Sequence, residues 1–136
     1  MSQENVALVQ AIYAAFGAGD VPGVVARMSP DIVWNEAENF PYADRNPYLG
    51  PEAILTGVFA RLGTEWDGFA AVPAEYLDAG DAVVVPGRYR GTYGSTGRVL
   101  DAQFVHVWRI GDGKAVAFQQ YTDTLQAALV TERRRA

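Results

Sequence analysis

Cysteine is absent from this chain of 136 residues, and His106 is its single histidine. The lack of cysteine excludes disulfides, thiolate nucleophiles and sulfur ligands for metals. With one imidazole, a zinc site would need mostly carboxylate ligands, which is uncommon, so we expect no metal. Any chemistry is therefore expected to rest on carboxylates, hydroxyls and this histidine, without a cofactor.

Long apolar runs and clustered positive charge are also scarce. No segment approaches the apolar length that spans a bilayer, and the first residues lack the pattern of a secretory signal. The formal net charge of −5 disfavours nucleic-acid binding, which requires clustered cations. The basic run Arg133 to Arg135 lies at the C-terminus, where a solvated tail is typical. We expect a cytoplasmic protein that binds neither membrane nor nucleic acid.

The composition is that of a globular protein, with 49% hydrophobic and 20% charged residues. A chain of this length fits one core, so residues 1–136 are expected to form a single domain. Apolar residues recur at three- and four-residue spacing from Glu4 to Ala18, which predicts a first helix. Asp20 is a candidate cap for a short second helix, and Pro51 opens a third.

Most of the remaining chain alternates as strands do. The first predicted strand, Asp31 to Glu38, places Ile32, Trp34 and Glu36 on one face. Further strands are predicted at residues 69–77, 82–93, 98–110 and 114–123, and a last helix at residues 124–130. Helices followed by a run of antiparallel strands indicate an α+β fold, whose long sheet can curl around the helices.

The segment 39–51 is predicted to be a loop, because it contains three prolines. It also carries Phe40, Tyr42 and Tyr48, whose rings need apolar surroundings. A loop with this much apolar surface usually covers another part of the molecule. We expect it to fold over the opening of a pocket.

Ionisable residues within apolar stretches need an explanation, because burying such a group costs several kcal/mol unless it is paired. Glu36 shares a strand face with Trp34. If that face is buried, the carboxyl pKa rises and suits proton abstraction, whereas a frayed strand end leaves the group in water. His106 lies between Phe104 and Trp108, which indicates a pocket wall, although a lone histidine is often a packing residue.

Asp123 is the third candidate and ends the last predicted strand. An aspartate at this place is a good helix N-cap, and it can also pair with a histidine on the neighbouring strand. The outcome depends on the turn at residues 112–113. A two-residue turn puts Asp123 on the face of His106, and a three-residue turn puts Gln120 there instead. The sequence leaves both registers open.

Several short segments, taken in order, resemble one known family. They are Tyr13-Ala14-Ala15-Phe16, Ile32-Val33-Trp34, Phe40-Pro41-Tyr42, Gly50-Pro51-Glu52-Ala53, His106-Val107-Trp108, Asp112-Gly113-Lys114 and Tyr121-Thr122-Asp123. Together they resemble the SnoaL-like and ketosteroid isomerase-related branch of the nuclear transport factor 2-like superfamily, over nearly the whole chain. The resemblance implies a cone-shaped, cystatin-like α+β barrel in which a curved antiparallel sheet wraps around N-terminal helices. It also implies a bacterial homodimer packed through its sheets.

The resemblance further implies roles for particular residues. Glu36 matches the position of the general base of ketosteroid isomerase, and His106 that of the aspartate in its oxyanion hole. The tyrosine of that oxyanion hole matches Ile12, with Tyr13 one residue away and turned by about 100° around the helix axis. Asp123 resembles the acid/base aspartate of SnoaL-type polyketide cyclases.

Two kinds of function follow. The first is an isomerase or polyketide cyclase type of enzyme that moves a proton next to a carbonyl of a small hydrophobic molecule. Glu36 or Asp123 is then the base, and His106 donates to the enolate oxygen. The second is a non-catalytic module of the same fold that binds a ligand or only dimerises. The residues expected to line the substrate pocket are Tyr13, Phe16, Trp34, Tyr42, Phe59, Phe104, Phe118 and Tyr121.

Overall fold

Helices begin the chain and strands make up most of the rest. The computed structural model describes residues 2–132, so the basic run Arg133 to Arg135 lies outside the described residues. The helices are α1 (Ser2–Gly17), α2 (Val21–Val25), α3 (Pro51–Ile54), α4 (Ala60–Glu65) and α5 (Thr124–Thr131). The strands are β1 (Met28–Asn35), β2 (Tyr48–Leu49), β3 (Trp66–Pro73), β4 (Leu77–Asp78), β5 (Ala82–Tyr93), β6 (Val99–Gly111) and β7 (Lys114–Thr122). A π-helical segment, Leu55–Phe59, joins α3 to α4, and a 3₁₀ turn spans Pro41–Arg45.

Within residues 2–132, the strands form one curved, unclosed sheet in the order β2-β1-β7-β6-β5-β3, with β4 paired to β5. β6 runs antiparallel to both β5 and β7, to which short turns join it, as predicted. β1 runs parallel to β7, with Trp34 opposite Phe118. A parallel pair requires a long connection, and here most of the chain lies between the two strands. The α+β class and the helix-first order are confirmed.

The core lies on the concave side of the sheet, against α1. The inner stripe of this helix buries Val9, Ile12 and Tyr13. Asp20 caps α2, accepting a hydrogen bond from the Gly23 backbone N–H at 3.0 Å, as predicted. The cap matters for the core because it fixes the turn that leads from α1 to β1.

Several predicted boundaries differ from the structure, among them the end of β1, which lies at Asn35 and not at Glu38. β1 begins at Met28 and includes Pro30, which lies where the pairing with β7 shifts register, so its missing N–H is tolerated. β3 ends at Pro73 instead of reaching Leu77, which belongs to the separate strand β4. The predicted loop 39–51 contains the 3₁₀ turn and β2, and its aromatic side chains are buried.

Gly57 lies in the π-helical segment against the ring of Tyr48. A Cβ atom at Gly57 would stand 2.3 Å from a carbon of that ring, which is too close for the neighbours to stay in place. We expect Gly57→Ala to lower the free energy of unfolding by about 1–3 kcal/mol, as overpacking does. Urea unfolding measures the change.

Gly63→Ala is the matched control, because Gly63 lies in α4 with nothing within 4 Å of an added Cβ. This substitution should raise the free energy of unfolding by up to about 1 kcal/mol, since alanine favours helix over glycine. A Gly57→Ala protein as stable as Gly63→Ala would contradict the packing described here.

Candidate functional site

A small pocket lies between α1, the π-helical segment and the concave face of the sheet. The volume open to the centres of water molecules is about 60 Å³. One water needs about 10–15 Å³ by this measure, so the space takes roughly four waters or one small organic molecule. Its walls are mostly apolar, and the polar side chains among them include Glu36, His106 and Gln120.

The partly exposed residues of the pocket wall include Phe16 of α1, Leu62 of α4 and Phe69 of β3, whereas most of the other lining residues are buried. We infer that the pocket opens on this side. The loop 39–51 was expected to cover the opening. Its Phe40 is buried and lines the pocket, so the loop forms part of the inner wall.

Glu36 lies just beyond the end of β1 and is 3% exposed. The indole N–H of Trp34 donates to its Oε2 at 2.9 Å, and no described group hydrogen-bonds its Oε1. Burial raises the pKa of Glu36 to about 7, while the Trp34 hydrogen bond and the charge of Arg61 oppose this rise. A carboxyl with this pKa can take a proton and return it near neutral pH.

His106 lies in the middle of β6 and is 4% exposed. The hydroxyl of Tyr13 bonds its Nδ1, and the hydroxyl of Tyr89 bonds its Nε2 at 2.5 Å. Phe104 stacks on the imidazole with ring centroids 4.0 Å apart. Burial lowers the pKa of His106 to about 3, so the ring is neutral near pH 7. Because both ring nitrogens are engaged, His106 cannot itself donate to a substrate oxygen as predicted.

One of the two tyrosine hydroxyls can instead donate to a substrate oxygen, as a count of the hydrogens shows. Trp108 donates to the Tyr13 oxygen at 3.0 Å, and Gln120 donates to the Tyr89 oxygen at 2.7 Å. A neutral imidazole has one N–H and each phenol has one O–H, so three hydrogens serve the two bonds to His106. One hydroxyl hydrogen, on Tyr13 or Tyr89, is left to donate into the pocket that both residues line. Burial raises the pKa of both hydroxyls, which keeps them protonated.

The register between β6 and β7 decides which side chains face His106. The turn at residues 112–113 has two residues, and it would by itself bring Asp123 to that face. A bulge at Val116 adds one residue to β7 and reverses the faces beyond it. His106 is therefore opposite Gln120.

Asp123 is consequently separated from the pocket. It is exposed and caps α5, accepting a hydrogen bond from the Gln126 backbone N–H at 3.1 Å. This corrects its place as a candidate catalytic residue, because its carboxylate is directed at a helix end and not at the cavity.

Most of the aromatic residues predicted to line the pocket do so: Tyr13, Phe16, Trp34, Phe59 and Phe118. Three do not. Tyr121 is 56% exposed on the outer face, and Phe104 lies behind the imidazole of His106. Tyr42 is buried outside the pocket, where its hydroxyl donates to Glu65 at 2.5 Å.

Sequence reasoning missed Tyr89 and placed Gln120 opposite His106 only as one of two open alternatives. Tyr89 stands between Arg88 and Arg90, and the two-residue period of a strand places it opposite both exposed arginines, facing inward. That alternation is the signal that identifies it. Gln120 depends on the bulge in β7, for which the sequence gives no comparable signal.

Two further searches of the described chain bear on the site. Among residues 2–132, no group of three His, Asp or Glu side chains is arranged to hold a metal ion. In the same part of the chain, no helix is long and apolar enough to cross a membrane.

The buried carboxyl makes stability depend on pH. The folded protein holds a proton on Glu36 up to about pH 7, whereas an ordinary glutamate releases it near 4.5, so Glu36 costs stability as pH rises through this window. Glu36→Gln removes this cost. We expect the free energy of unfolding of Glu36→Gln, measured relative to the wild type, to rise by up to about 3 kcal/mol between about pH 5 and 8.

Urea unfolding at several pH values measures this difference. His106 also makes stability depend on pH, because the stability it contributes is lost as pH falls below about 6.5. This effect is the same in both proteins and cancels in the comparison. Glu38→Gln, at an exposed neighbour, is the control and should run parallel to the wild type. A constant offset between Glu36→Gln and the wild type at all pH values would contradict the buried titration.

Comparison with known proteins adds the family. The SnoaL-like domain family matches residues 9–118. An NTF2-like protein of solved structure from Burkholderia thailandensis is 40% identical, with a TM-score of 0.90, over 94% of this chain and 97% of that chain. TerC, co-crystallised with polyporic acid, is 30% identical, with a TM-score of 0.83, over 93% of this chain and 97% of that chain.

A more distant likeness shows the fold alone. A protein from Catenulispora acidiphila with a ketosteroid isomerase-like fold, in complex with trimethylamine, is 17% identical, with a TM-score of 0.76, over 91% of each chain. No curated protein sequence matches this chain. The family match over most of the length shows that this protein belongs to the SnoaL-like domain family.

Proposed function

We propose that this protein is an enzyme of the isomerase or polyketide cyclase type, which moves a proton next to a carbonyl group of a small hydrophobic molecule. The observation that carries the proposal is the carboxyl of Glu36, buried in an apolar pocket with Oε1 free of hydrogen bonds to described groups. Its pKa of about 7 is suited to a group that must accept and return a proton.

The proposed reaction keeps all atoms balanced. Oε1 of Glu36 takes a proton from the carbon next to the carbonyl. The electron pair of that C–H bond forms a C=C bond, and the π pair of the C=O bond moves onto the oxygen, giving an enolate. The free hydroxyl of Tyr13 or Tyr89 donates to this oxygen. Glu36 then returns the proton to the same carbon or to a conjugated one, and the carbonyl is restored.

His106 acts as a positioning residue in this scheme. Its neutral ring holds both tyrosine hydroxyls and leaves one hydrogen for the ligand. A donor fixed in advance within a dry pocket stabilises the developing charge far more than one in water, because the surrounding dielectric is low.

The size of the pocket favours a small ligand. The space available suits a single small ring, and a polycyclic molecule would have to displace side chains at the opening, among them Phe16 and Phe69. Two proteins of this fold support the proposal of a small organic ligand. TerC was co-crystallised with polyporic acid, and the Catenulispora acidiphila protein is in complex with trimethylamine.

We also propose that the protein forms a homodimer through the outer face of its sheet and works in the cytoplasm. Large apolar side chains exposed on this face support the dimer, since pairing with a second copy would bury them. They include Val33, Val72 and Tyr121.

The proposed function predicts hydrogen exchange at a carbonyl compound. In D₂O, the wild type should accelerate deuterium uptake next to the carbonyl of 2-cyclohexenone or cyclopentanone, as measured by proton NMR. Glu36→Gln should reduce this acceleration by about 100-fold or more, because the base is lost. Glu38→Gln should match the wild type.

Full acceleration in Glu36→Gln would mean that the base lies elsewhere and would overturn the proposal. Binding of both ketones by the wild type without any exchange would favour the alternative, a module that holds a ligand without catalysis.

A further inference from the structure

The side chain of Asn46 hydrogen-bonds both the backbone N–H and the backbone carbonyl of Glu36. Oδ1 of Asn46 accepts from the Glu36 N–H at 3.0 Å, and Nδ2 donates to the Glu36 carbonyl at 2.8 Å. Because β1 ends at Asn35, Glu36 lies one residue beyond the strand. The amide of Asn46 therefore supplies the two bonds that a neighbouring strand would supply.

The position of Asn46 follows from the register of the adjacent strand pair. Val33 is opposite Leu49 and Trp34 is opposite Tyr48 in this antiparallel pair. Continuing the same register places residue 46 opposite residue 36. The strand itself stops earlier, since Pro47 has no N–H to donate. Asn46 thus replaces the missing backbone pairing with its side chain.

The segment that carries Asn46 is fastened to α4 on both sides. Arg61 of α4 donates to both carboxylate oxygens of Asp44, at 3.0 and 2.8 Å. The same guanidinium donates to the hydroxyl of Tyr48 at 2.9 Å. Two parallel bonds from one guanidinium fix geometry well. Asn46, between these two anchors, is therefore held in place.

We propose that Asn46 is a positioning residue that aims the carboxyl of Glu36 into the pocket. The proposal rests on the proposed function of Glu36 as the base. Successive side chains of an extended segment point to opposite faces, so a rotation of this peptide would turn the carboxyl away from the ligand. Misplacing a reacting group by about 1 Å can cost roughly 100-fold in rate.

The test compares Asn46→Ala with Asn5→Ala. Asn5 also bonds a backbone carbonyl, that of Gly80 at 2.9 Å, but neither residue lines the pocket. The first measurement is a ¹³C NMR titration of the Glu36 carboxyl, which needs no turnover. In Asn46→Ala its midpoint should fall from about 7 toward 4.5, because the released carboxyl reaches water. In Asn5→Ala it should not move.

The charged and titratable groups that act on Glu36 stay the same in this comparison. They are Arg61, Tyr48 and Tyr89, and Asn46→Ala removes none of them. A change in the titration therefore reports the position of the carboxyl and not the loss of a neighbouring charge.

The second measurement is the exchange of 2-cyclohexenone in D₂O. Asn46→Ala should lower its rate by about 10- to 100-fold, with the dissociation constant of the ketone within about threefold of the wild type. Asn46→Asp, which keeps the acceptor for the Glu36 N–H, is the second variant if the alanine protein does not fold. It should also lose rate with little change in ketone affinity.

A titration midpoint and a rate in Asn46→Ala equal to those of Asn5→Ala would overturn the proposal. Failure of the proposed function gives a different result. If the wild type shows no exchange, Glu36 is not a base, and the titration alone still decides whether Asn46 sets the position of its carboxyl.

Discussion

Polar groups buried under the curved sheet need hydrogen-bond partners, and the rest of the structure follows from this constraint. Glu36 and His106 lie among aromatic rings, where an unpaired polar group costs several kcal/mol. Tryptophan and tyrosine both fill the apolar core and hydrogen-bond the buried polar groups, since each has an apolar ring and one polar tip. Trp34 donates to Glu36, and Tyr13 and Tyr89 bond His106. Among the described residues, every side-chain nitrogen or oxygen that is fully shielded from solvent has a partner, so the unpaired Oε1 of Glu36 is an atom that solvent or a ligand can reach.

The same partners determine the chemistry of the pocket. Two hydroxyls saturate the histidine, whose burial keeps it neutral, and this leaves one hydroxyl hydrogen for a ligand. The Glu36 carboxyl has one oxygen bonded by Trp34, while Asn46 holds its backbone. The pocket thus combines a proton acceptor and a hydrogen-bond donor, which together suit proton transfer next to a carbonyl.

The sequence predicted the elements whose pattern is local. The spacing of apolar residues identified α1, and the alternation of Ile32 and Trp34 identified one face of β1, which the structure buries. The place of Asp123 could not be predicted from local pattern. It depends on a single bulge at Val116, which exchanges the two faces of β7 and leaves no clear trace in the sequence. Asn46 bonds the Glu36 backbone through its side chain from within a loop, and the periodicity of apolar residues makes no prediction for a loop.

A direct test of the account is the state of the His106 ring. Long-range ¹H–¹⁵N NMR from about pH 5 to 8 should show one protonated and one unprotonated ring nitrogen throughout, because burial between two tyrosine hydroxyls keeps the imidazole neutral. An ordinary titration near pH 6.5, with both nitrogens protonated at the acidic end, would contradict the buried network on which the proposed site depends.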